Sequence, residues 1–547
     1  MRKKFFSVAL IALSVFAFSS CNDDDDNNDN TGTIPSAPPV TSSEATALVN
    51  AIYGPLQTLS SSYSFLVESA TETTVSFEGN DQAGGPLVSK LEVQKDNSYA
   101  MKVFNRLYLS ISLANKAIED INAIPVSDQL NQEGKDLLIG RAQFIRGYDY
   151  FQLVQLYGEV PVYLSSTPTA TDSHTRKSIE EVYAQIVSDL EAAIAKLPLS
   201  DSNKSNPSQL AAKTILAKAY LTWGQKPLTQ DQVAAIVTSK TDPAKPAVDN
   251  AKLKQAIAYA NEVINSGQYR LLDDYNNIWG VPNENNAEVI FSIHHDGDDQ
   301  GDAQGNHQTH CGYTFPGNEW ADPHIQYADI SLENLIPAGD ARRLYSYATK
   351  TEFANSTNSD TLTWPISVVR PGKWIHRNPT TGKALASQPN NIDHIDFRLA
   401  EVYLIKAEAQ WYAGDGDKGL SAINALRTRA GVASLSTISE DAIQKEWSYE
   451  LAFEQKHWIN LLRWRTLIAS IDKVKGYEYY KEAYNDKTAF NALPGAIESR
   501  FTFYQRIYQH LHLKVANING HNYRFPIPKV DASTESGITP QNPGYNN

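Results

Sequence analysis

The stretch from Arg398 to Ala413, RLAEVYLIKAEAQWYA, decides how the rest of the chain reads. Leu399, Val402, Ile405, Ala409 and Tyr412 recur every three or four residues, which gathers them on one face of an α-helix. Alanines lie between them, and such small side chains let a neighbouring helix approach closely. After the break Ala413 to Gly416, a second helical pattern covers 417–430. The unit is two helices joined by a glycine-containing turn.

The same spacing returns along the chain. It covers 97–122 (Ala100, Val103, Leu107, Ile111, Ala114, Ile118) and 135–157 (Leu137, Phe144, Tyr148, Phe151, Leu156). It recurs in 178–197, in 207–223 (Ala211, Ala212, Ile215, Leu216, Ala219, Tyr220), in 251–266 (Ala256, Tyr259, Ala260, Ile264) and in 440–467. Short Pro or Gly links such as Leu197-Pro198 join the segments in pairs. Each such pair, like a tetratricopeptide unit, cannot bury its apolar face alone and must stack on the next. The expected fold is mostly α, with four degenerate tetratricopeptide-like helix pairs as a scaffold. Between about 270 and 395 the pattern gives way to loops rich in Gly, Asn and Asp with isolated Trp. A long irregular stretch inside a compact protein is usually functional or disordered.

At the other end, Arg2, Lys3 and Lys4 precede an apolar run from Phe5 to Phe18, and small Ser19 and Ser20 lead to Cys21. A basic start, a short apolar run and small residues at the exit describe a secretory signal, here 1–20. The run is shorter than the roughly 20 apolar residues a membrane span needs. Phe-Ser-Ser-Cys resembles a bacterial lipobox, which would make Cys21 the acylated first residue, carrying palmitate. Asn22 and four aspartates follow, then little that could be buried until about Pro39. Residues 21–40 therefore read as an acidic, solvated tether, and 41–547 as one domain.

Composition narrows the function. The formal charge is −14, and −17 once Arg2, Lys3 and Lys4 leave with the signal. That excess of acid argues against nucleic acid, whose recognition needs clustered Lys and Arg. With Cys21 lipidated, Cys311 is the only other cysteine, so no internal disulfide and no Cys-rich metal site can form.

Further stretches point to a family. Gly140-Arg-Ala-Gln-Phe-Ile-Arg-Gly147, Tyr150-Phe151 and Tyr157-Gly-Glu-Val-Pro161 resemble the early helix and exit turn of SusD/RagB outer-membrane lipoproteins. Lys213 to Gly224, Asp340-Ala-Arg342, Lys373-Trp374, Arg398 to Ala409 and Asn424 to Gly431 are similar to later landmarks, and Pro526-Ile-Pro528 and Gln541 to Tyr545 to the usual ending. Glu446, Glu450, Glu454, Trp458, Leu461, Arg463 and Trp464 fit one family helix, but Trp447, Gln455, His457 and Asn460 stand where arginine, glycine, arginine and aspartate are commonest. The resemblance implies capture of nutrients, usually glycans, at the cell surface. It also implies a partner, a SusC-like TonB-dependent transporter in the outer membrane, over which the lipid-anchored domain would sit. Cys-Asn followed by aspartates looks like a surface-export signal of such lipoproteins. Alternatives in play are a peptide receptor of the same family and a surface glycoside hydrolase.

Catalytic signatures are sparse. The sequence has no Gly-Xxx-Ser-Xxx-Gly elbow, no His-Glu-Xxx-Xxx-His and no phosphate-cradling loop. Glu446, Glu450 and Glu454, at i, i+4 and i+8, read as partners for scaffold arginines. Asp296 to Asp302 begins like a calcium loop but His307 stands where the closing Glu belongs. His307, His310 and Cys311 read as a fortuitous cluster, not a zinc site. The expectation is a non-enzymatic protein with no cofactor and no metal.

A glycan site needs flat rings bordered by amides and carboxylates. Trp223, Trp411, Trp447, Trp458 and Trp464 fall within helical patterns and are expected in the core; Trp279, Trp320, Trp364 and Trp374 fall in the irregular part, Trp374 within a structural landmark. Trp320 is the leading candidate, in HCGYTFPGNEWAD with Tyr313, Phe315 and Asn318. Long loops on a rigid scaffold commonly carry binding residues; the plain alternative is a ring that plugs its loop onto the scaffold. A second candidate rim is SFEGNDQAGG, Ser76 to Gly85, with Phe77, Asn80, Asp81 and Gln82.

Overall fold

Five of the long helices start on a side chain that accepts from their free first-turn N–H groups. Asn97 caps Tyr99 and Ala100, Asn131 caps Gly134, and Asp249 caps Ala251 and Lys252. Ser208 caps Ala211, and Ser178 forms a reciprocal capping box with Glu181. The computed structural model describes residues 41–77, 84–167, 174–280, 283–295, 325–328, 336–337, 339–346, 373, 392–476, 486–491, 501–530 and 536–545. The expected signal and tether, with Cys21, lie outside the described residues.

The helices are α1 (Ser42–Ala51), α2 (Tyr53–Glu68), α3 (Gly84–Ser89), α4 (Ser98–Ala123), α5 (Gln132–Tyr157), α6 (Ile179–Ile194), α7 (Gln209–Gly224), α8 (Gln230–Ala234) and α9 (Asn250–Asn265). After the irregular stretch come α10 (Arg342–Ser346), α11 (Leu399–Ala413), α12 (Leu420–Arg429), α13 (Glu440–Glu450), α14 (His457–Trp464), α15 (Leu467–Asp472), α16 (Lys487–Asn491) and α17 (Phe501–Asn517). Each long helix packs on the next: α2 on α4, then α5, α6, α7, α9 and α11, with α12 and α13 against α11. This order is compatible with four stacked helix pairs. The protein is mostly helical.

The core runs through the stack. From Phe144 to Tyr157 every residue of α5 is buried, which no amphipathic stripe would produce. Several of its buried polar groups are paired. Arg146 donates to Asp189 of α6 at 2.9 and 2.5 Å and to Asn115 of α4 at 2.7 Å, and Gln152 accepts from Tyr63 at 2.7 Å. Gly147 is needed for the α5–α6 contact, since a Cβ there would lie 3.0 Å from Leu190 Cγ.

Two points differ from the sequence expectation. Residues 440–467 do not form one helix: α13 stops at Glu450, Phe453 and Gln455 take φ of 60° and 62°, and α14 begins at His457. Glu454 therefore stands in the turn, not on the face shared by Glu446 and Glu450. Trp447, Trp458 and Trp464 are core, but Trp223 and Trp411 are only half-buried against it. Trp223 stacks with Tyr183 and Tyr220, and its Nε1 donates to Glu180 at 2.8 Å.

The strands form two antiparallel pairs. β1 (Thr74–Phe77) pairs with β3 (Ile325–Ala328), and β2 (Val289–Ile293) with β4 (His394–Arg398). The second pair brackets the irregular stretch, with β4 running directly into α11.

Candidate functional site

The strands next in sequence to the two candidate rims pair in one short sheet. Phe77, the last residue of β1, lies opposite Ile325, the first of β3, and Thr74 lies opposite Ala328. The early loop thus leaves the same end of the sheet at which the chain following Trp320 enters. The base is held by a buried lysine: Lys514 of α17 donates to the carbonyls of Ser69, Thr71 and Thr74, the first and last at 2.9 Å. Of the candidate residues, only Phe77 falls on a described element; Asn80, Asp81, Gln82, Tyr313, Phe315, Asn318 and Trp320 lie outside the described residues. So do Asp296 to Asp302, His307, His310, Cys311, Trp364 and Trp374.

The irregular stretch is fastened to the scaffold by buried charge. Arg342, on α10, pairs with its neighbour Asp340 at 2.6 Å, and with Glu446 and Glu450 of α13. Lys373 pairs with Glu454 at 2.6 Å and donates to the Glu450 carbonyl at 2.8 Å. Arg398 meets Glu288, Glu450 and Glu454 at 2.9, 2.6 and 2.8 Å. Arg429 reaches Glu288 at 3.0 Å and Glu450, and Arg427 reaches Glu446 at 3.3 Å. Five cations face five carboxylates, so the cluster is neutral. Tyr275 and Trp279 lie against it, with the Arg429 guanidinium 4.8 Å from the Tyr275 ring centre and Lys373 Nζ 5.2 Å from that of Trp279.

Two carboxylates of this cluster are held ionised. Burial is the largest influence on Glu450 and pushes its pKa up, but Arg429, Arg398 and Arg342 together outweigh it and hold the group far below the usual range. Glu454 is likewise lowered, by Arg398 and Lys373 against its burial. Acids fixed in this way cannot protonate a leaving group. A different pair lies where β2 and β4 open toward the irregular stretch. Burial, then the neighbouring Asp393 charge, pushes half-exposed Glu284 up to about 7; Asp393 accepts from the His295 N–H at 3.1 Å and contacts His294 Nδ1 at 2.8 Å. Among the described residues no group of three or more His, Cys, Asp or Glu could hold a metal ion. Nor is any described helix long and apolar enough to cross a membrane.

Sequence reasoning anticipated arginine partners for the three glutamates but missed the rest of the cluster. Glu288 and Tyr275 gave no local signal, Asp340 was named only as part of a family landmark, and Trp279 only as a ring in the irregular part. The departures from the family pattern are also absorbed structurally. His457 Nε2 lies 2.8 Å from Glu72 Oε1, Asn460 accepts from Arg463 at 2.8 Å, and Trp447 receives Lys218 Nζ 3.9 Å above its ring. Gln455, where glycine is commonest, keeps the left-handed backbone that glycine favours.

A stack of long helices with two small antiparallel strand pairs and a buried cluster of ion pairs defines a class, and the chain belongs to the SusD/RagB family. The model of the SusD family matches residues 313–545, and a second, described as starch-binding associating with outer membrane, matches 35–221. The chain is 24% identical to SusD-like protein P2 of Formosa agariphila over 84% of its own length and 83% of that protein's. It is 23% identical to starch-binding protein SusD of Bacteroides thetaiotaomicron, over 66% of this chain and 69% of that one. Among solved structures, a laminarin-binding SusD-like protein superposes with a TM-score of 0.67 at 20% identity, covering 93% of this chain and all of that one.

Proposed function

We propose that this protein captures a glycan at the cell surface, without cleaving it, and delivers it to a SusC-like TonB-dependent transporter in the outer membrane. The observation that carries the reading is the pairing of β1 with β3, which ties the two ring-bearing loops to one sheet end on a scaffold of the SusD type. Five residues of chain reach at most about 18 Å, so Trp320 is tethered within that distance of Ile325 opposite Phe77. Trp320 is the stacking platform, Tyr313 and Phe315 extend it, and Asn318, Asn80, Asp81 and Gln82 bond sugar hydroxyls at its edge beside Phe77. Two relatives are named for starch and for laminarin, which supports a glycan as ligand while leaving the linkage open. Palmitoylated Cys21 would hold the domain at the outer membrane, and the description of the second family model supports that location.

The test uses the domain from residue 41 onward with starch and laminarin oligosaccharides, followed by calorimetry and by product analysis. Saturable binding without cleavage products supports the receptor. A buried Trp anchor is worth about 2 kcal/mol or more, so a folded Trp320→Ala variant should bind at least about tenfold more weakly. Undiminished binding by that variant removes Trp320 from the site, and sugar turnover by the wild type replaces the receptor with the hydrolase.

A further inference from the structure

Three arginines line a cavity of about 30 Å³ together with Tyr183, Thr222 and Gln225. They are Arg463 at the end of α14, Arg465 just after it, and Arg524 in the C-terminal segment. All three are buried, with 7, 7 and 4% of their surface exposed. Arg463 pairs with Glu408 and donates to Asn460. Among the described residues, Arg465 and Arg524 have no carboxylate within ion-pairing distance. Each places one Nη2 N–H on a backbone carbonyl, Arg465 on Lys226 at 2.6 Å and Arg524 on Leu228. The Nε atoms of all three arginines are buried and bond no other group of the protein.

Carbonyl bonds explain part of the arrangement, because these arginines lie where α7 and α14 end and the carbonyl ends of helices attract cations. They do not balance the charge. The neighbouring carboxylates Glu408, Glu159 and Asp242 are engaged elsewhere. Glu408 is taken by Arg463, Glu159 lies 3.9 Å from Arg176, and Asp242 accepts from Tyr523, Ile468 and Ala469 at 2.6, 2.7 and 2.8 Å. Buried Arg465 and Arg524 are left without a carboxylate of their own among the described residues. Burial draws Arg465 down to about 10 and lowers Arg524, yet both stay charged at neutral pH. A buried charge without a partner costs several kcal/mol, and guanidinium N–H groups are strong anion donors.

We infer that this cavity is a binding site for a small monovalent anion of the halide class, held by the guanidinium groups of Arg463, Arg465 and Arg524 that line it. The volume suits it: a single water needs roughly 10–15 Å³ on the same measure, so about 30 Å³ admits one chloride and excludes a sugar, a nucleotide or a phosphate ester. The anion would lock the C-terminal segment, through Arg524, to the ends of α7 and α14. It is independent of the glycan reading.

The test is made on the intact domain from residue 41. Crystals soaked in sodium bromide should show an anomalous peak inside the cavity, within hydrogen-bond reach of the three guanidiniums. In solution, replacing gluconate by chloride or bromide at fixed ionic strength should raise the melting midpoint in a saturable way. Arg465→Gln should lose that anion-specific rise while keeping the glycan affinity of the wild type. Bromide found only at the surface, together with a wild-type midpoint indifferent to the anion, overturns the assignment. Should Arg465→Gln fail to fold, the wild-type bromide map decides alone.

Discussion

Arg398 closes strand β4 and reaches Glu450, the last residue of α13. Its Nη1 lies 2.6 Å from Oε1, and its Nη2 donates to the Glu450 carbonyl at 2.7 Å. One guanidinium thus joins the strand that ends the irregular stretch to the helix end that the rest of the charge cluster surrounds. Glu450 has three arginine partners, so its loss leaves the most positive charge unbalanced. Removing one member of a buried pair typically costs about 3–5 kcal/mol. Glu450→Gln should lower the unfolding free energy by about that much in urea titrations; a change below about 1 kcal/mol would mean the cluster is not a structural clasp.

Gln455 holds a left-handed backbone, with φ of 62°, where a side chain costs about 1–2 kcal/mol. Glycine removes that strain but loses about 0.5–1 kcal/mol more conformational entropy on folding. Gln455→Gly should therefore stabilise the domain by about 0.5–1 kcal/mol in the same titrations. The Gln455 N–H bond to Glu68 at 2.5 Å survives the change.

Glu68 is fully buried, and burial, against the opposing Gln455 N–H, pushes its pKa up to about 7 from 4.5. The folded state holds this proton more tightly than the unfolded one. The associated stability is complete below about pH 4.5 and is lost as pH rises to about 7, amounting to about 3 kcal/mol at most. His457, raised by Glu72 despite its burial, adds a loss of the same sign above about pH 6.5. Glu68→Gln should match the wild type near pH 4.5 and exceed it at pH 8. Parallel pH–stability curves for the two proteins would contradict this.

Gly158 takes φ of 77°, and a Cβ there would meet the Arg524 guanidinium, with Cζ at 2.8 Å and Nη2 at 2.9 Å. Gly158→Ala should lower stability by at least the roughly 1–2 kcal/mol of backbone strain. It should also displace Arg524. Calorimetric melting checks the first effect and a crystal structure of the variant the second.

Cys21→Ala tests the anchor. Intact cells expressing this variant should lose outer-face labelling of the protein, which should pass into the medium or periplasm. Unchanged retention at the surface would mean that something other than a lipid on Cys21 attaches it.

Most of the scaffold could be read from the chain because helical periodicity is local. Residues 97–122, 207–223 and 251–266 in sequence correspond to helices within a few residues of those bounds. Helix α2 escaped notice, since Gly54-Pro55 and the serines Ser60 to Ser62 mask its periodicity, and α17 is rich in His, Gln and Tyr. Strands β2 and β4 were missed because both are buried along their whole length and show no alternation. The break after Glu450 was invisible as well: nothing in Leu-Ala-Phe-Glu-Gln announces two left-handed residues. For the two candidate loops, sequence named rings and amides, and the register of β1 on β3 supplied what composition cannot, a shared sheet end for the strands that adjoin them.

The sequence by itself determined the stacked helices, the acidic character and the family, since each is written in residue types at short spacing. Only the tertiary structure decided which charges neutralise which. Glu288 and Arg429, 141 residues apart, or Lys373 and Glu454, 81 apart, become partners through chain folding alone. Coulomb attraction in a buried site depends on distance and on exclusion of water, and neither exists until the helices have packed.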